Sequence, residues 1–222
     1  VQDAFKLHIL ILWNLLDVAA VPKMPSPDVT SWFNTTFSTM DDLHAARQGS
    51  ARVSTSMITT AAVGRDVRVK TGTHAQHAGR VEKPALSWMI AFLARFGFTS
   101  WAPDFTSTPY SLYNSACRII AIFSFQQALL AQAYVHFGPV MSHANDFDFL
   151  IKLFDWYVWD CWFHRWDAER RRPGWRMRLH QQKLGYQWRS RLANARVQTC
   201  KSLGLDRYAI VLADAKCHSD EE

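Results

Sequence analysis

Six residues between Asp148 and Trp166 recur at alternating steps of four and three: Asp148, Lys152, Asp155, Trp159, Trp162 and Trp166. On an α-helix they share one stripe, charged over its first half and lined by indoles over its second. Phe147, Leu150, Ile151, Phe154, Val158 and Cys161 make an opposite, wholly apolar stripe, the expected core side. A repeat of this period demands a helix, and its second, aromatic face needs cover of its own. Immediately beyond stand Arg170, Arg171, Arg172, Arg176 and Arg178.

Charge is concentrated in the same part of the chain. Residues 165–207 hold twelve Lys or Arg against Asp167, Glu169 and Asp206, a net +9. The whole chain carries +6, so the remainder is about −3. A localised positive field attracts nucleic acid, anionic lipid or acidic protein; the plainer reading is a solvated helix face.

The rest of the chain reads as mainly helical. With 222 residues, 49% of them hydrophobic, a sizeable core is available and a wholly disordered chain is excluded. Phe5, Ile9, Leu12 and Leu16 give an N-terminal helix within residues 1–21, ending before Pro22. His8, Asn14 and Asp17 interrupt that segment, which argues against a signal peptide, and no run is long enough to span a membrane. Residues 22–82, rich in Ser, Thr and Gly, are expected to be linker and flexible insertion, with a short strand conceivable at 63–69. Residues 83–214 form the helical domain. One helix starts near Lys83 and stops at Gly97; another starts at Pro109 behind Thr108 and reaches about His136, carrying Gln126 on its apolar stripe. A third covers about 145–170, and Pro173-Gly174 separates it from a fourth, about 176–203, with Leu184, Trp188, Leu192 and Ala195 on its core side. An acidic tail, 215–222, closes the chain. The fold class is therefore mainly α, an irregular bundle of five or six helices with a long insertion between the first two main ones.

Motifs for a reaction are absent. There is no GxSxG, GxGxxG or GxxxxGK[ST], and Asp160-His164 is an ordinary i,i+4 pair without a marked nucleophile. His74, His77 and Cys217-His218 lack the second ligand pair that a zinc site needs. Neither cofactor nor metal is expected, and catalysis is unsupported. Cys117, Cys161, Cys200 and Cys217 are widely spaced, as in a reducing, intracellular setting. Glu169-Arg170-Arg171-Arg172-Pro173 could act there as a nuclear-localisation patch.

Two functional readings follow. In the first, Arg170, Arg171, Arg172, Arg176, Arg178, Arg189, Arg191 and Arg196 bind the phosphates of DNA or RNA, with nearby aromatic rings to stack on bases. In the second, Trp159, Trp162, Trp166 and Trp175 dock a protein partner or a second copy of the chain.

Overall fold

A computed structural model describes residues 1–17, 19–60, 73–81, 83–138, 143 and 145–214. Of the described residues 69% are helical, so the fold is mainly α, and none of them forms a strand. The expected arm at 63–69 and the acidic tail lie outside those residues. The chain divides into two compact units, Val1–Ala168 and Glu169–Glu222.

The first unit is built around α1 (Gln2–Leu12), whose residues from Leu7 to Leu12 are all buried. A helix apolar on every side belongs at the centre of a core. It ends earlier than Pro22 requires, because Asn14 adopts φ 57. The Asn14 N–H donates to Ile11 O at 3.2 Å and the Leu15 N–H to Leu10 O at 2.9 Å, a Schellman cap that turns the chain back.

Helices occupy part of the segment read as insertion. In α2 (Pro27–Thr36), Ser26 caps by accepting from the Val29 N–H, and Pro27 fills the first turn, where its missing donor costs nothing. In α3 (Met40–Gln48), Thr39 and Asp42 form a reciprocal capping box. These Ser and Thr residues begin helices. α2 and α3 then bury Phe33, Leu43 and Ala46 in the same core as α1. A six-residue α4 (Thr73–Ala78) follows.

α5 (Lys83–Arg95) begins and ends where its sequence directs, with Gly97 at φ 72. A Cβ on Gly97 would lie 2.0 Å from Cη2 of Trp32, so the indole packs where a side chain would otherwise stand. Gly97→Ala should therefore cost about 3 kcal/mol or more, from both clash and left-handed strain, measurable as a lower denaturation midpoint.

Ser111, three residues beyond Thr108, is the N-cap of α6 (Leu112–Leu130). The helix ends at Leu130 because Gln132 turns left-handed at φ 58 and the Ala133 N–H closes onto Ala128 O. Asn114, nearly fully buried, fastens the preceding loop: its Oδ1 accepts from the Asp104 N–H, and its Nδ2 donates to Asp104 O and Thr108 O. That clasp holds Phe105 and Trp101 over the core.

α7 comprises Phe147–Asp155, a π-helical stretch Trp156–Trp162, and Phe163–Arg171. A π-turn holds more residues than an α-turn, so every later side chain is rotated relative to the α-helical stripe. Leu150, Phe154 and Val158 stay buried as expected, but the next buried position is Trp162, while Cys161 is only half-buried. Arg118 of α6 grips Asp155 from Nη2 at 2.7 Å and Nε at 3.2 Å, tying the two helices together.

Candidate nucleic-acid interface

The second unit contains the last turn of α7, α8 (Trp175–Ser202) and α9 (Asp206–Leu212). The Glu169 carboxylate shapes its entry, accepting from the Gly174 N–H at 2.6 Å and the Arg176 N–H at 2.9 Å. This anionic cap satisfies two orphan donors at the start of α8 and offsets the positive end of the helix dipole. Gly174 makes the turn at φ 78.

α8 has 28 residues, of which only Ala193 is buried. It contains Arg176, Arg178, Lys183, Arg189, Arg191, Arg196 and Lys201 and no Asp or Glu, hence seven positive charges and none negative. At about 100° per residue, Arg178, Arg189 and Arg196 fall along one edge and Arg176, Lys183 and Lys201 along the other. Between those edges runs an exposed apolar stripe: Met177 is 50% exposed, Leu184 39% and Trp188 65%. The Arg191 guanidinium lies 5.7 Å from the Trp188 ring centroid. α9 packs against the C-terminal half of α8, where Ala193 and Ala209 are both buried. Leu184, Trp188 and Ala195 were expected to be a core side; all three are exposed, and Leu192 is half-buried. Tyr186 is open as well, at 57%.

Arg170, Arg171, Arg172, Arg178 and Arg191 are exposed; Arg176, Arg189, Arg196 and Trp175 are half-buried. These nine residues all belong to the second unit, whereas Trp159, Trp162 and Trp166 belong to the first. There the three indoles meet the chain's own aromatic residues. Phe105 packs against Trp159 at 5.2 Å and Trp166 at 5.5 Å, and Trp13 against Trp162 at 6.0 Å. Trp162 keeps 3% of its surface, and the other two are half-buried against the core. The cover that an aromatic helix face requires is thus supplied largely by the loop that Asn114 fastens and by the end of α1.

No protein-family model matches the chain, and no curated protein or solved structure matches it either.

Three polar residues in the first unit were not singled out by their sequence pattern. His8, Ser124 and Tyr134 are all fully buried. The Ser124 hydroxyl donates to Ile120 O at 2.6 Å, so it accepts from His8 Nε2–H at 2.7 Å. That leaves His8 Nδ1 to accept from the Tyr134 hydroxyl at 2.8 Å. Burial lowers the His8 pKa to about 3 and raises that of Tyr134, so both stay neutral. A Ser-His-Tyr chain sealed from solvent joins α1 to α6 and to the turn after it. Its one sequence signal is His8 within an otherwise apolar run. Gln126, expected on the buried stripe of α6, is half-buried, and Ser124 takes the central polar position.

Asp160 and His164 are both exposed. Among the described residues no group of three His, Cys, Asp or Glu could hold a metal ion. His77 stacks on His136 at 5.6 Å, and the Cys217-His218 pair lies outside the described residues. Cys117, Cys161 and Cys200 are unbonded thiols. No helix among the described residues is long and apolar enough to cross a membrane.

Proposed function

We propose that this chain is a non-enzymatic nucleic-acid-binding or accessory module whose contact surface is the basic, aromatic C-terminal unit. The observation that carries the reading is the acid-free composition of α8 together with its exposure. Arg178, Lys183, Arg191 and Lys201 stand exposed on a helix without acids, and a polyanion neutralises such a face while releasing its own counterions. Like charge also weighs against two copies of α8 pairing side by side. The exposed Trp188 and Tyr186 rings add what a purely electrostatic surface lacks, flat faces on which unpaired bases stack. Single-stranded DNA or RNA is therefore the better ligand; duplex bases are already stacked on each other. The segment carries no helix-turn-helix consensus for reading a groove. Docking of a protein on Trp159, Trp162 and Trp166 is the weaker reading, since those rings are engaged with Phe105 and Trp13.

Fluorescence anisotropy with labelled oligonucleotides tests the proposal. Saturable binding is expected for single strands, and Trp188→Ala should weaken it roughly tenfold, in line with ~1–3 kcal/mol per stacked base. Because Trp188 is exposed, the fold should be unaffected. Lack of saturable binding to both DNA and RNA at low salt would reject the reading.

A further inference from the structure

A cavity of about 550 Å³ opens in the first unit, where the end of α1, the stretch after it and the Thr59–Ser100 backbone bridge come together. That volume is typical of a small-molecule site. Its origin is local: the left-handed Asn14 ends α1 and turns the chain so that Ala20, Val21, Lys23, Met24 and Ser26 line the same cavity as the helix end. Leu12, Trp13, Leu15, Met24 and Trp101 supply apolar walls. The Trp13 and Trp101 rings meet edge to face at 5.2 Å, and the Trp101 indole N–H donates to Cys117 O, which fixes that wall in place. Ser26, Thr59 and Ser100 add hydroxyls, and Lys23 is the one charged residue in the described lining.

We infer that this cavity binds a small amphipathic monocarboxylate, with its apolar body against Trp13, Leu15 and Trp101 and its carboxylate on the Lys23 ammonium. Charge complementarity selects the class. A cation would meet Lys23 and find no carboxylate in the described lining. A polyphosphate would find one cation and a mostly apolar wall. A single negative charge on an apolar body matches both parts of the lining, and nearby hydroxyls can donate to a second carboxylate oxygen.

Isothermal titration of the full chain with decanoate, kept below its micelle concentration, tests this. One saturable site is expected. Decanol, which has the same body without the charge, should bind at least tenfold more weakly, and Lys23→Gln should weaken decanoate at least tenfold. Ser100→Trp, placed on an exposed residue of the lining, should fill the cavity and abolish binding. The triple variant Arg178→Glu, Lys183→Glu, Arg191→Glu should leave decanoate affinity unchanged; a loss there would move binding to α8 and overturn the assignment. Equal affinities for decanol and decanoate, an unaffected Lys23→Gln variant, or no saturable heat would overturn it too. Should Ser100→Trp fail to fold, the decanol and Lys23→Gln comparisons still decide, since neither perturbs the core.

Discussion

Replacing Arg178, Lys183 and Arg191 together by Glu lowers oligonucleotide affinity roughly 100-fold or more, the result expected when three phosphate contacts become repulsions. All three side chains are exposed, so the helix itself should survive. Far-ultraviolet circular dichroism and the denaturation midpoint should stay close to wild type, because exposed substitutions away from caps and cores usually change stability by no more than ~0.5 kcal/mol. Unchanged affinity in a folded triple variant would show that the cations of α8 are only a solvated face. The contrast with the indoles of α7 is informative. Trp162→Asp should lower stability sharply, as it places a charge at a position only 3% exposed.

Acid should weaken the fold well above the pH at which most carboxylates titrate. His8 has a folded pKa near 3 against 6.5 for the free side chain, because burial opposes its charged form. Below pH 6.5 the unfolded chain takes up a proton that the folded chain refuses. The stability from neutral His8 is thus complete above pH 6.5 and is lost progressively as pH falls towards 3. The slope is about 1.4 kcal/mol per pH unit, or ~2 kcal/mol between pH 6.5 and 5. Urea denaturation at several pH values measures it. A His8→Gln variant should be less stable at neutral pH, having disturbed the bonds to Ser124 and Tyr134, yet should lose most of that slope. Tyr134→Phe is the companion variant. It removes the donor to Nδ1, should cost about 1–3 kcal/mol, and should retain a pH dependence because the imidazole is still there. A slope unchanged in His8→Gln would assign the acid sensitivity elsewhere.

The contrast between α5 and α2 shows what could be read from residues alone. Lys83, Pro84 and Gly97 mark both ends of α5, and its apolar positions repeat for 13 residues, enough for period and punctuation to agree. α2 and α3 are 10 and 9 residues long, too short for the period to stand out. Trp32, Phe33 and Phe37 pointed to a short turn of helix on the core, but the caps, Ser26-Pro27 and Thr39 with Asp42, were hidden by a Ser/Thr-rich composition. On the apolar stripe of α7, Leu150, Phe154 and Val158 were legible as core, whereas Phe147 is exposed and Ile151 half-buried. After Val158 the π-turn moved the buried position to Trp162, a change that no α-helical wheel can register. Cover for Trp159 and Trp166 comes from Phe105, more than fifty positions earlier, through a loop whose course depends on Asn114. Such a contact has no local signature.

For the candidate interface the balance is reversed. The cations of α8 follow directly from the sequence, and helical pitch over Trp175–Ser202 then sets them along two edges. Which aromatic residues accompany them was not. Leu184 and Trp188 have core spacing, but a helix with a single buried residue leaves them open. The indoles with the more conspicuous pattern, on α7, went instead into the first unit's packing.

The most direct test is the salt dependence of single-strand binding, measured by anisotropy between 50 and about 200 mM monovalent salt. With four to six cations of α8 on phosphates, log Kd should rise against log salt concentration with a slope of roughly 3 to 4, at ~0.7 per contact, and the slope should fall by about 2 in the Arg178, Lys183 and Arg191 variant. A slope near zero, or one that the triple replacement leaves unaltered, would contradict the claim that the basic helix is the binding surface.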